Sequence, residues 1–214
     1  MSGSKRWRVT AWRELLELAL GALDEAGQHK WTLGGGTGLA LKIDHRVSYD
    51  IDLFVEDAAA LHALSPNRNR AARGITDLWQ EPGNYIKLEH EEGAIDFILA
   101  VRQTELTPWL YRFVDREIRV EQPAEIIAKK LRYRGSRLLP RDIFDLLAVQ
   151  RFDPTYILTA VRAVPDGARR AADRIERIAA RYRETIRDEV NPTSTGVDLL
   201  DADPLDAARA LAAG

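Results

Sequence analysis

The sequence predicts an α+β chain in which a sheet-bearing N-terminal half precedes a helical half, and two observations carry that prediction. Short apolar or alternating segments bounded by turn-forming residues recur between Trp31 and Val120. From Pro123 onward the apolar residues fall at helical spacing instead, and prolines stand where first-turn residues are expected. The change of pattern places a boundary near Glu121-Gln122-Pro123, dividing the chain into residues 1–121 and 122–214.

The elements follow in order. Leu15, Leu16, Leu18, Ala19, Ala22 and Leu23 recur at helical spacing, which predicts a helix from Thr10 to Ala26 with Gly27 as its stop. Trp31-Thr32-Leu33 reads as a short strand entering the glycine run Gly34-Gly35-Gly36, and Thr37 to Ile43 as the helix after it. Tyr49 to Val55 is a strand, Asp57 to Leu64 has helical composition, and Ser65 to Arg70 reads as a loop or helix break. Thr76 to Gln80, Tyr85 to His90 and Ala94 to Val101 are strand-like, the last two joined by a hairpin at Glu91-Glu92-Gly93, and Val114 to Val120 is a further strand. Helices are expected from Pro123 to Tyr133, Pro140 to Arg151, Thr155 to Val164, Arg169 to Glu189 and Pro204 to Ala212.

Composition narrows the function classes. A chain of 214 residues can bury a proper core. Its formal net charge of -2 does not announce a nucleic-acid binder, so any such binding needs a local patch. The absence of cysteine removes disulfides, thiolate chemistry and cysteine-ligated zinc, and His29, His45, His62 and His90 lack zinc-ligand spacing. The start lacks a sustained apolar stretch, so no signal peptide is read. No apolar run reaches membrane-spanning length, and the expected location is the cytoplasm.

The chemistry concentrates between Gly34 and Asp52. Asp50 and Asp52 lie two apart in the run YDIDLF, so their carboxylates leave one strand face and can share a pair of divalent cations. Ile51, Leu53 and Phe54 make this a largely buried strand, where carboxylates without a partner are costly. Gly35, Gly36 and Thr37, at a turn from strand into helix, can offer backbone N–H groups and a hydroxyl to phosphate. Phosphate and metals together point to a nucleoside triphosphate.

GGTGLAL, HRVSYDIDLF, EIIAKKLRYR and PRDIFDLLAV, in this order, resemble the AbiEii/AbiGii nucleotidyltransferase toxins, distant relatives of DNA polymerase β. The resemblance spans about Trp31 to Gln150 and implies a polymerase β-like mixed sheet with flanking helices, the helical part completing an active-site cleft. It implies transfer of NMP from an NTP to an acceptor hydroxyl with Mg2+ or Mn2+, and a third metal-binding carboxylate on a neighbouring strand. Asp96, inside the apolar run Ala94 to Leu99, is the first candidate for that position and Glu89 the second. Arg46 and Ser48 match an Arg-x-Ser-x-Asp pattern. Ser48 lies one strand period before Asp50, while Arg46 either orients the aspartates, contacts phosphate or forms a structural ion pair. Lys130 matches the family's functional lysine and is expected to reach the nucleotide, leaving Lys129 solvated. Asp142 and Asp145 share a helix face, where one can meet the lysine or the nucleotide and the other support it; helix N-terminal electrostatics explains Asp142 better than Asp145. His45 reads as a surface residue in preference to a ligand, and the tryptophans Trp7, Trp12, Trp31, Trp79 and Trp109 as packing residues, with Trp79 or Trp109 available to stack a base.

The resemblance further implies the toxin of a toxin–antitoxin or abortive-infection pair, with a tRNA 3′ end as acceptor and a cognate antitoxin as partner. Two alternatives stand beside it: nucleotidylation of a protein or small molecule, as in aminoglycoside nucleotidyltransferases, and an inactive nucleotide-binding or protein-interaction module. A basic surface formed by Arg68, Arg70, Arg73, Arg132, Arg134 and Arg137 favours RNA; an enclosed acidic pocket favours a cationic small molecule.

Overall fold

The computed structural model describes residues 11–213, so Trp7 and Thr10 lie outside the described residues. The helices are α1 (Ala11–Glu25), α2 (Gly35–Ile43), α3 (Ala58–Ala63), α4 (Arg70–Ile75), α5 (Pro123–Arg134), α6 (Pro140–Phe152), α7 (Pro154–Ala163), α8 (Pro165–Glu189) and α9 (Pro204–Ala212). The strands are β1 (Trp31–Leu33), β2 (Ile51–Val55), β3 (Trp79–Gln80), β4 (Tyr85–His90), β5 (Gly93–Leu99), β6 (Trp109–Phe113) and β7 (Arg116–Val120). Two compact units result. The first holds the described residues up to Thr37 together with Ser48–Val101, the second Gly38–Val47 together with Arg102 onward.

In the first unit the strand order β3-β4-β5-β2-β1 gives a mixed sheet, antiparallel except for β2 beside β5. Ile51, Leu53 and Val55 are fully buried while Asp52 and Phe54 leave the other face half-buried, the period-2 pattern of a strand. Helix α1 packs Leu15, Leu16, Ala19 and Leu23 inward and lies against β2, β5 and α4. The hairpin turns at Glu91-Glu92 and closes at His90 opposite Gly93, where Gly93 has φ 151° and a side chain would collide with the Tyr49 carbonyl.

Helix α4 was not expected from the sequence. Its cause lies in two side chains: Asn69 caps it by accepting from Ala72 N at 2.8 Å, and Glu25 accepts from Arg70 N and Ala71 N at 2.9 and 2.8 Å. Only the second of these comes from a distant segment, which is why local composition did not reveal the helix.

The second unit is helical apart from the β6–β7 hairpin. Ile127, Leu131, Phe144, Leu147, Ile157, Val161, Ile175, Ile178 and Tyr182 form its core, with Leu39 and Ile43 from α2. The strand expected from Val114 is displaced: Val114 and Asp115 form the turn, Val114 having φ 52°, and β7 starts at Arg116. A β-branched residue in the left-handed region runs against its own preference, so its identity misdirects the reading. Strand β6 was missed for the same reason, being the other arm of that turn.

Asn69 joins two elements, because its Nδ2 also donates to the Ala22 carbonyl at 2.8 Å. Asn69→Ala removes both bonds and is expected to lower the unfolding free energy by about 2 kcal/mol, with an unchanged denaturant slope in urea titration.

Candidate active site

In the first unit the glycine turn and the carboxylate strand are fastened together through the backbone. Gly34 N donates to the Asp52 carbonyl at 2.9 Å, and the Thr37 hydroxyl donates to the Asp50 carbonyl at 2.6 Å. Thr37 is buried, so the hydroxyl expected to face phosphate instead holds α2 against β2. Gly35 opens α2 with φ 59°, and a Cβ there would overlap the Asp52 carboxylate. Only glycine permits this approach. The amide groups of Gly35, Gly36 and Thr37 begin the helix, where the first N–H groups lack intrahelical acceptors and favour an anion.

The carboxylates line up across the sheet. Parallel pairing of β2 and β5 sets Asp52 beside Asp96, and Asp50 Oδ1 accepts from Ala94 N at 3.0 Å just before β2 begins. Antiparallel pairing then sets Lys87 opposite Asp96, with Lys87 Nζ 3.4 Å from Asp96 Oδ2. Burial, with the charges of Asp52 and Asp50 acting against the attraction of Lys87, pushes the Asp96 carboxyl up to about 6. Glu89 shares this face one pair further along but is exposed and bonds to Gln80 at 3.2 Å. Ser48 is half-buried and precedes Asp50 in the same unit.

Hard oxygen donors on one face and crowded like charge fit a hard divalent cation. Among the described residues no group of three or more His, Asp or Glu is arranged to hold a metal ion by itself. Mg2+ is commonly held by one or two carboxylates together with substrate phosphates and water. Asp50 and Asp52, with Asp96 beside them, are the residues that would hold it.

The second unit contains a buried ionic network centred on Asp145, which is fully buried. Arg46 grips it with two bonds, Nε to Oδ1 at 2.7 Å and Nη2 to Oδ2 at 3.0 Å. Lys130 Nζ lies 2.9 Å from Asp145 Oδ2 and 2.5 Å from Asp142 Oδ1. Asp142 Oδ2 also accepts from Leu139 N at 3.1 Å, so this acid both caps α6 and binds the lysine. Burial pushes both carboxyls up, but the neighbouring cations outweigh it: Arg46 and Lys130 hold Asp145 well below the usual carboxylate range, and Lys130 and Arg134 hold Asp142 below it.

Two sequence expectations are corrected here. His45 is 1% exposed and bonds through Nε2 to Asp145 Oδ1 at 2.8 Å, so it is no surface residue. Burial lowers its pKa despite Asp145, leaving a neutral ring that donates from Nε2. Lys129 is not solvated: it is buried against Glu121, with Glu125 Oε1 at 3.7 Å. Glu125 in turn accepts from Gln103 N, Thr104 N and the Thr104 hydroxyl, an anchor the sequence did not suggest. Lys130, finally, is itself enclosed between two aspartates, and Arg46 takes the ion-pair option.

The aromatic and basic candidates are partly engaged. Arg73 lies over the Trp79 ring at 4.5 Å and Lys42 over the Trp109 ring at 5.0 Å. Arg70 pairs with Glu25, Arg73 with Asp77 and Arg134 with Asp142 at 3.7 Å, whereas Arg68, Arg132 and Arg137 are exposed. Sequence reasoning passed over Lys87, although the hairpin turn fixes a register that sets it opposite Asp96.

Lys130→Met should destabilise the protein by about 3–5 kcal/mol in denaturant titration, since it strips a cation from two buried carboxylates. The acid dependence has a definite sign. Because the folded pKa values of Asp142 and Asp145 lie below the ordinary 3.8, their stabilisation is present above pH 4 and is lost as pH falls through the lower folded values. Asp145→Asn is therefore expected to be less stable at pH 7 but to lose less stability between pH 5 and pH 2. Gly35→Ala should leave folding cooperative while displacing the Asp52 carboxylate, a shift that a crystal structure of the variant reads directly.

Solved structures and a family model match this chain. The antibiotic-resistance factor ANT(2'')-Ia, in its solution structure, matches with a TM-score of 0.52 at 17% identity, over 84% of this chain and 100% of that chain. JHP933 from Helicobacter pylori matches with a TM-score of 0.49 at 14% identity, over 97% of this chain and 90% of that one. No curated protein matches the sequence at a significant level. The family model for the nucleotidyl transferase AbiEii toxin of type IV toxin–antitoxin systems matches residues 18–201. With a mixed sheet, a glycine turn against an acidic strand and most of its length matched, the chain belongs to the AbiEii nucleotidyltransferase toxin family.

Proposed function

We propose that this nucleotidyltransferase moves NMP from an NTP to an acceptor hydroxyl, that the hydroxyl belongs to a tRNA 3′ end, and that Asp50, Asp52 and Asp96 hold the divalent cations of the reaction. The observation carrying the proposal is the placement of Asp52 between Gly35 and Asp96, which brings a phosphate-binding helix start and a carboxylate row together. Bound at the row, Mg2+ or Mn2+ would acidify the attacking hydroxyl and offset charge on the departing pyrophosphate.

The chain's own residues supply the remainder. Gly35 and Gly36 direct N–H groups toward the triphosphate without side chains in the way. Asp96 is the third ligand or, in its place, the base that accepts the proton of the acceptor hydroxyl. Arg46, His45, Lys130, Asp142 and Asp145 act in this reading as a charged core of the second unit. An idle binding module has no need of crowded half-buried carboxylates, which argues against the inactive alternative. The partners in this reading are an NTP, tRNA and a cognate antitoxin, and the place of action is the cytoplasm. No helix among the described residues is long and apolar enough to cross a membrane.

Incubation with each labelled NTP, Mg2+ and a total RNA or protein extract tests the acceptor. Label in the tRNA fraction is expected; label only in protein, or in an added aminoglycoside, contradicts the tRNA reading. Asp50→Ala and Asp52→Ala should each abolish transfer with the fold intact. Asp96→Asn should keep NTP affinity and lose transfer by at least a hundred-fold, and parental transfer by Asp96→Asn together with failure of Glu89→Gln would move the third position to Glu89.

A further inference from the structure

Lys87 has no role in the reaction so far described, yet it stands in the same row as the carboxylates. The register of β4 on β5 and of β5 on β2 carries Lys87, Asp96 and Asp52 onto one face of three adjacent strands. The flanking residues Ile86 and Leu88 are fully buried on the opposite face, so a slip of one residue would exchange core for surface; packing therefore fixes Lys87 in this place. Its Nζ contacts Asp96 Oδ2, one of the oxygens a cation would use.

Resting on the nucleotidyl-transfer reading of this row, we propose that Lys87 is a positioning residue that holds Asp96 in the absence of nucleotide, weakening the binding of free divalent cation so that the cation enters with the triphosphate. The argument is one of charge. An ammonium touching one carboxylate both occupies a ligand oxygen and sets a like charge beside any cation that the same carboxylate would hold. A triphosphate supplies negative charge and further oxygen ligands. Lys87 is half-buried, so its ammonium can turn from Asp96 toward solvent or phosphate oxygen.

The test is Mn2+ binding to the full chain, followed by the electron paramagnetic resonance signal of free Mn2+, with and without the α,β-methylene analogues of the NTPs. Without nucleotide, Lys87→Gln is expected to bind Mn2+ about ten-fold more tightly than the parent, a difference of about 1.4 kcal/mol. Lys87→Arg should keep the parental affinity. With the bound analogue the advantage of Lys87→Gln should shrink below about three-fold. Equal or weaker nucleotide-free binding by Lys87→Gln overturns the proposal, as does an advantage that the analogue leaves undiminished; Lys87→Met gives the same comparison if the glutamine variant fails to fold. Failure of the site itself looks different: Mn2+ binding that Asp52→Asn leaves unchanged in the parent would remove the row as the metal site, and the proposal with it.

Discussion

Repulsion between carboxylates on neighbouring strands is the constraint around which the first unit is organised. Parallel pairing sets Asp52 and Asp96 side by side, and Asp50 adds a third charge at the strand entrance. Left to itself such a row would spread into solvent. It is held by Ile51, Leu53 and Val55, whose complete burial on the opposite face locks the register of β2. Gly34 and Thr37 tie the following helix to the carbonyls of the same strand, and Gly35 yields the space that the Asp52 carboxylate fills. The unfavourable charge is offset in part by the ammonium of Lys87, which contacts Asp96.

The second unit solves the opposite problem. Asp145 is removed from water altogether, and an ionised carboxylate there is tolerable only because Arg46, Lys130 and His45 all bond to it. The segment Gly38–Val47 thereby contributes two side chains to the interior charge network while Leu39 and Ile43 join the apolar core. Lys129 and Lys130, neighbours on α5, face different acids, one pinning the loop at Gln103-Thr104 through Glu125 and the other binding α6. An adjacent pair that looks redundant in sequence is divided between two anchors.

Much of this was legible in the sequence because it depends on local pattern. The proline-opened starts of α5, α6 and α9, the strand limits of β1 and β4, and the Glu91-Glu92 hairpin follow from residue types within a few positions of one another. So does the shared face of Asp50 and Asp52, which needs only the period of a strand. What escaped depends on partners distant in sequence: α4 on Glu25, the burial of His45 on Asp145, the burial of Lys129 on Glu121 and Glu125. The Thr37 hydroxyl was expected to face phosphate, but it bonds to the Asp50 carbonyl, a partner thirteen residues away that residue type alone does not reveal. Val114 shows the other limit, where tertiary pairing of β6 and β7 imposed a turn on a residue that prefers extended backbone.

The central claim is that the metal-dependent chemistry belongs to the row in the first unit and not to the acids of α6. Anomalous scattering from crystals grown with Mn2+ and an α,β-methylene NTP decides it directly. The account predicts Mn2+ at about 2.1 Å from carboxylate oxygens of Asp50 and Asp52, with triphosphate oxygens completing the sphere. Mn2+ bound to Asp142 or Asp145, with the Asp50–Asp52 face empty while nucleotide is bound, would contradict it.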